Sequence, residues 1–194
     1  MEQLKMYLLP EINVPKLEIP NGFSISKYKN SSDQIAWTEC CRNGALIYDE
    51  ADPEDAFHDA ILTLPINLNQ DIFFLDFGGE HIATATCYIN ENNEGDLHMV
   101  GMREEFRGKG LSKYITYEAL RNLNGKPVKY ILLTTDEFRK SAIRTYLNAG
   151  FLPVKYDVGM VERWESVLAD LNVESVLMLN DDASVYGTIY RKRG

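Results

Sequence analysis

Apolar residues recur along this 194-residue chain in two periods, and the changes of period divide it into elements. Residues 1–21, interrupted by Pro10, Pro15 and Pro20, read as an extended N-terminal arm. Phe23, Ile25 and Lys27-Tyr28 follow as a first strand. Ser31-Ser32-Asp33 is a helix start, and Ile35, Ala36, Cys40 and Leu46 carry the helical spacing as far as Gly44. Asp52-Pro53-Glu54 opens a second helix with Ala56, Phe57, Ala60, Ile61 and Leu64 inward and a stop at Pro65. Residues 71–77, the turn Gly78-Gly79 and residues 81–89 predict two antiparallel strands, and a polar turn over 90–95 leads into a strand over 96–102. The period then becomes helical again: Leu111, Ile115, Ala119 and Leu123 share one face until Asn124-Gly125-Lys126-Pro127 stops it. A buried strand over 128–134 precedes a helix capped by Asp136, with Phe138, Ala142, Ile143, Tyr146 and Leu147 on its apolar face and Gly150 at its end. Strands over 152–156 and 175–179 enclose an amphipathic helix over 161–171 containing Trp164, and Arg191-Lys192-Arg193 reads as a solvated tail. The order predicts an α+β fold, one domain whose mixed, twisted sheet is flanked by helices.

Composition narrows the function classes. With 45% hydrophobic and 25% charged residues the chain can bury a core without disulfides or metals. A net charge of -9 argues against a nucleic-acid partner, which needs many Lys and Arg contacts to phosphate, and favours a cationic partner such as an amine. The three cysteines, Cys40, Cys41 and Cys87, include an adjacent pair, which suits a reducing compartment better than a disulfide framework. Three histidines and no Cys-x-x-Cys predict no metal site. No apolar run approaches the roughly 20 residues of a spanning helix, and the N-terminal segment lacks an apolar signal core, so a cytoplasmic protein without a membrane partner is expected.

The chemistry concentrates in Arg103 and Arg107-Gly108-Lys109-Gly110-Leu111-Ser112-Lys113, between a strand and a helix. Unsatisfied N–H groups and the positive dipole end of a helix attract anions there. Gly108 and Gly110 let backbone approach an oxyanion, and Arg103, Arg107, Lys109 and Lys113 gather positive charge, so a pyrophosphate is the natural guest. The dinucleotide fingerprint fails because Lys113 stands where its third glycine belongs, and a P-loop's Gly-Lys-Ser/Thr ending is missing.

The segment resembles the acetyl-CoA motif of the GNAT superfamily, Gln/Arg-x-x-Gly-x-Gly/Ala, with Arg107 and Gly110 in place and Ser112 at the small position. Downstream, Ala142, Ile143, Tyr146, Gly150 and Phe151 match the stretch Asn-x-x-Ala-Ile-x-x-Tyr-x-x-x-Gly-Phe, and Arg139 stands where Asn is common. The resemblance covers residues 22–156 as an acyltransferase core, with residues 157–194 completing the domain. It implies an N-acetyltransferase that moves an acetyl group from acetyl-CoA to a primary amine of a small molecule or peptide. The resemblance further implies a splayed central strand pair, 96–102 parting from 128–134, with acyl-CoA in the gap. Main-chain groups of Val100, Gly101 and Met102 would pair with the pantetheine amides, Arg139 would lie by that arm, and the N–H groups of residues 107–113 would hold the pyrophosphate. Tyr146 matches the position that protonates the leaving thiolate.

The base is Asp96, with His98 relaying, or His98 itself, and strand alternation puts Asp96, His98, Val100 and Met102 on one side. The alternative is a non-catalytic acyl-CoA-binding sensor or interaction module of the same fold. The C-terminal helix and last strand are candidates for covering the acceptor site or for a homodimer surface.

Overall fold

The computed structural model describes residues 2–42 and 46–192, so the expected helix end at Gly44 and the tail residue Arg193 lie outside the described residues. In chain order the elements are β1 (Leu4–Leu8), β2 (Phe23–Lys27), α1 (Ser32–Arg42), α2 (Pro53–Phe57, continued by a π turn over His58–Leu62), α3 (Leu68–Asp71), β3 (Ile72–Phe77), β4 (Glu80–Ile89), β5 (Gly95–Met102), α4 (Ser112–Arg121), β6 (Ile131–Thr135), α5 (Lys140–Ala149), β7 (Leu152–Lys155), α6 (Met160–Asp170), β8 (Ser175–Asn180) and β9 (Val185–Tyr190). The fold class is α+β, as expected. The chain forms two compact units, one of Asn13–Lys129 and one of Met1–Ile12 with Tyr130–Gly194.

In the Asn13–Lys129 unit, β2, β3, β4 and β5 form an antiparallel meander. Gly78 (φ 61°) and Gly79 (φ 85°) make the β3–β4 turn, whose backbone other residues resist. Residues 82–88 of β4 are buried without alternation, as in a strand covered on both faces. Helix α1 lies against β4 and β5, and α4 against β3, β4 and β5. Helix α1 turns only part of the expected face inward: Cys40 is fully buried, but Ile35 is 58% exposed and Trp37 and Cys41 are buried in its stead. Trp37 decides the rotation, since its ring packs edge-on against Phe57 at 5.2 Å and removes far more apolar area from water than Ile35 would. Asp52 caps α2 by accepting from the N–H of Glu54 (2.9 Å) and Asp55 (3.3 Å), with Pro53 in the first turn.

Helix α1 and β5 approach closely at Gly101, where an added Cβ would stand 2.6 Å from the Cys40 carbonyl oxygen. Gly101→Ala is therefore expected to destabilise the protein by about 1–3 kcal/mol. A lower denaturant midpoint at unchanged m-value is the check.

In the second unit, β1 is an interior strand, antiparallel to β6 on one side and to β7 on the other. The arm expected over residues 1–21 thus contains a strand with Leu4, Met6, Tyr7 and Leu8 buried. Strand β7 pairs parallel with β8, and β8 forms a hairpin with β9, a strand that the sequence pattern did not announce. Strand β6 begins three residues later than expected, at Ile131. Asp136 does not cap α5: its Oδ2 accepts from Arg139 Nε at 3.0 Å, no side chain caps the helix, and Phe138 is 68% exposed. Gly150 ends α5 in the left-handed region (φ 99°), as expected. Trp164 is fully buried on α6.

Candidate functional site

The loop leaving β5 is shaped by its own short-range contacts. Glu104–Phe106 make one 3-10 turn, Arg107 is extended (φ −69°, ψ 162°), and Gly108 (φ 71°) and Gly110 (φ 68°) are left-handed. A Cβ at either glycine would meet nothing within 4 Å, so glycine is required there for conformation, and the space beside the backbone is open. Arg107 Nε donates to the Met102 carbonyl at 2.9 Å, tying the loop back to β5. Lys109 Nζ donates to the Glu105 carbonyl at 2.9 Å. Leu111 is buried and anchors the loop before Ser112 opens α4. The first turn of α4 holds no acidic residue and no side-chain cap among the described residues, so its N–H groups keep their anion-binding character. Arg103 does not add to that field as expected, because it is paired with Glu80 (2.9 Å) and Glu105 (2.7 Å).

Strand β5 departs from simple alternation. Thr86 pairs with His98 but Thr84 with Gly101, so Met99 and Val100 together oppose one residue of β4. Met99 takes φ 51° to absorb the extra residue. Asp96, His98 and Gly101 consequently face one side, opposite Tyr88, Thr86 and Thr84, while Met102 faces the other side with Leu97. The expected common side for Asp96, His98, Val100 and Met102 holds only for the first two; the bulge reverses the rest.

The structure brings Asp96 and His98 together with Tyr88, a residue that the sequence reading did not single out. Tyr88 Oη donates to Asp96 Oδ2 at 3.3 Å, and the Tyr88 ring meets the His98 ring edge-on at 6.3 Å. Burial raises the Asp96 carboxyl above its ordinary value; nearby His98 and the Tyr88 hydrogen bond oppose the rise, and Glu94 adds to it. His98 Nε2 lies 2.9 Å from the Ala60 carbonyl oxygen. A carbonyl only accepts, so Nε2 carries the proton and Nδ1 of the neutral ring is the acceptor. Tyr88 was discoverable: the short turn after Ile89 pairs that residue with Gly95, which puts Tyr88 opposite Asp96.

Tyr146 and Arg139 belong to the other unit. Tyr146 is buried on α5 and packs edge-on against Phe151 at 6.0 Å. Burial pushes its hydroxyl up to about 12, against a lowering pull from Arg139. In the Asn13–Lys129 unit, a cavity of about 660 Å³ is lined by Arg42, Leu46, Ile47, Tyr48, Asp49, Glu50 and Glu104. Among the described residues no group of three or more His, Cys, Asp or Glu side chains is placed to hold a metal ion, and no helix is long and apolar enough to cross a membrane.

Comparison with known proteins gives a consistent picture. A family model described as "Acetyltransferase (GNAT) family" matches residues 35–151. Mycothiol acetyltransferase from Thermomonospora curvata is 24% identical over 158 residues, which cover 77% of this chain and 51% of that protein. The chain spans about half the length of the curated relatives it matches. A GCN5-related N-acetyltransferase from Sphaerobacter thermophilus superposes with a TM-score of 0.60 at 17% identity, over 79% of this chain and 49% of that one. Diaminobutyrate acetyltransferase from Paenibacillus lautus, solved with L-2,4-diaminobutyric acid and coenzyme A, superposes with a TM-score of 0.52 at 12% identity, over 65% of this chain and 73% of that one.

Proposed function

The chain belongs to the acetyltransferase (GNAT) family, and from that premise we propose that it moves an acetyl group from acetyl-CoA to a primary amine by direct attack on the thioester. The observation that carries this reading is the loop of residues 107–113: two left-handed glycines with open space beside them, running into an uncapped helix start, with Arg107, Lys109 and Lys113 in a chain of net charge -9. Such a loop fits a pyrophosphate. In this reading the N–H groups of Gly108, Lys109, Gly110, Leu111, Ser112 and Lys113 hold it, and the main chain of Val100, Gly101 and Met102 meets the pantetheine amides. By the family resemblance, Arg139 at the head of α5 is the residue proposed to contact the same arm. The thioester supplies an activated acyl group; the protein's part is to orient it and to manage two protons.

Asp96 is the proposed base. A buried carboxyl with a raised pKa is a stronger base than an exposed one, and so better matched to the proton of an attacking ammonium. His98, with Nε2 held on the Ala60 carbonyl, offers Nδ1 as the relay. Tyr146 stays protonated across the working range, because its hydroxyl titrates near 12. A thiol titrates at about 8.5, so transferring the tyrosine proton outright to a thiolate is uphill; Tyr146 serves better as a hydrogen-bond donor that stabilises the leaving sulfur, which takes the remaining amine proton through solvent. The cavity lined by Asp49, Glu50 and Glu104 as well as Arg42 holds more acidic than basic groups, which favours an acceptor that carries a positive charge.

Incubation with acetyl-CoA and a panel of primary amines tests the proposal. Thiol release that depends on the amine, together with acetylated product by mass, is expected. Binding of acetyl-CoA without thiol release from any amine would identify a non-catalytic acyl-CoA-binding module instead.

A further inference from the structure

Tyr88 touches both members of the Asp96–His98 pair and has no part in the proton transfers assigned to them. It is buried on β4, directly across from Asp96 of β5. Its hydroxyl donates to Asp96 Oδ2 at 3.3 Å, and its ring stands edge-on to the His98 ring, 82° between planes and 6.3 Å between centroids. His98 is held separately by the Ala60 carbonyl, 2.9 Å from Nε2. That carbonyl lies in the π turn over His58–Leu62, near a helix end, where carbonyl oxygens lack intrahelical partners.

A carboxyl that serves as a base has to be ionised when the acceptor arrives. Burial works against this, because it penalises the charged form. A hydroxyl donor offsets the penalty. It bonds the carboxylate more strongly than the neutral acid, and it brings no positive charge that would repel an ammonium. Tyr88 keeps that donor across the working range: burial first, and Asp96 next, push its own hydroxyl above the ordinary value, so it does not ionise. The other groups around Asp96 act differently. His98, two residues along the same strand, has Nε2 committed to Ala60 and acts on the carboxyl through its charge, and Glu94 at the turn raises it further. The Cys87 thiol is fully buried and is itself pushed up by burial and by Asp96. On the π turn, His58 and Asp59 are exposed and pair with each other at 3.1 Å. Among the described residues no donor engages Oδ1 of Asp96.

We propose that Tyr88 is a positioning residue for the base: it holds Asp96 by Oδ2, leaves Oδ1 for the amine proton, and keeps the carboxyl ionised in its buried place. This role rests on Asp96 being the base in acetyl transfer. In the step it serves, an N–H bond of the acceptor ammonium breaks and an O–H bond forms at Asp96 Oδ1. The nitrogen keeps the electron pair that then attacks the thioester carbonyl carbon.

Tyr88→Phe keeps the ring against His98 and removes the hydroxyl alone. The first readout needs no activity: NMR of the Asp96 carboxyl carbon through a pH titration. Loss of the donor withdraws support from the ionised form, so the titration is expected to move to higher pH in the variant. In the wild type, the Tyr88 ring carbon that bears the hydroxyl is expected to follow the Asp96 titration, a measurement that stands even if the variant does not fold. The second readout is the pH profile of kcat/KM. Its acidic limb is expected to move up, making the variant slower on that limb by on the order of tenfold, with the gap shrinking at higher pH. An Asp96 titration that stays in place in the variant overturns the proposal, as does a Tyr88 ring carbon that ignores it in the wild type. So does a loss of rate alike at every pH, which a merely structural role predicts. Asp96 itself is ruled out as the base by a different result: Asp96→Asn keeping its rate and its acidic limb, whatever Tyr88→Phe does.

Discussion

Asp96→Asn is expected to lower kcat/KM for acetyl transfer by about 10²–10³-fold, the contribution of a positioned general base. The substitution keeps the shape and an oxygen for the Tyr88 hydroxyl, which donates to Asp96 at 3.3 Å, so the hydrogen bond survives while the basicity is lost. The pH profile gives a second readout. Burial raises the Asp96 carboxyl, so the acidic limb of wild-type kcat/KM is expected above the ordinary carboxylate range and to vanish in the variant. Stability moves the other way. With the folded-state value above the unfolded one, the native state binds the extra proton between the two. Stability then falls as pH rises through that window and is fully present below it. Asparagine removes the burden, so the variant is expected to melt no lower than wild type at pH 7. A loss of rate accompanied by a loss of stability would point to a structural role for Asp96.

Met6→Asp is expected to have the largest effect on folding. Met6 is fully buried on β1, opposite Leu133 of β6 and Pro153 of β7. A carboxylate there has no cationic partner in register and must be buried neutral or expose the strand, at a loss above about 4 kcal/mol. Met6→Leu keeps the volume and is expected to cost under about 1.5 kcal/mol. Urea denaturation of the two variants against wild type measures both. Near-equal midpoints would show that β1 is dispensable.

The contrast between β1 and the meander explains what could be read from the sequence. Strands β3, β4 and β5 were marked by turns, Gly78-Gly79 and the polar run after Ile89, and their bounds agree with expectation to within a residue or so. Strand β1 has no such marker: Leu4, Met6 and Leu8 alternate with Lys5 and Tyr7, but its partners β6 and β7 lie far along the chain, no turn joins it to either, and prolines follow it at positions 10, 15 and 20. Strand β9 escaped because its exposed face is as apolar as its buried one. On the helices, Leu111, Ile115 and Ala119 point inward as their spacing requires, but α1 follows Trp37 rather than the count of apolar positions, and Phe138 is outside because the chain turns at Arg139 before α5 begins.

At the site, the loop glycines and the common side of Asp96 and His98 were legible, the former from residue type and the latter from a two-residue spacing that precedes the bulge. The bulge was not legible. Its strained residue is Met99, where no glycine signals a positive φ, so the reversal of Met102 depends on long-range pairing with β4. The neutralisation of Arg103 by Glu80 likewise joins residues far apart in sequence.

The loop of residues 107–113 is proposed as a pyrophosphate cradle for an acyl-CoA. Calorimetric titration with CoA and with pantetheine, which lacks the pyrophosphate, tests it most directly, using wild type and Gly110→Val. Gly110 sits at φ 68°, which valine resists, so the variant displaces the loop backbone without altering its charge. Wild type is expected to bind CoA on the order of 100-fold more tightly than pantetheine, and Gly110→Val to lose most of that difference. Equal affinity of wild type for the two ligands, or a variant that keeps the full difference, would contradict the account.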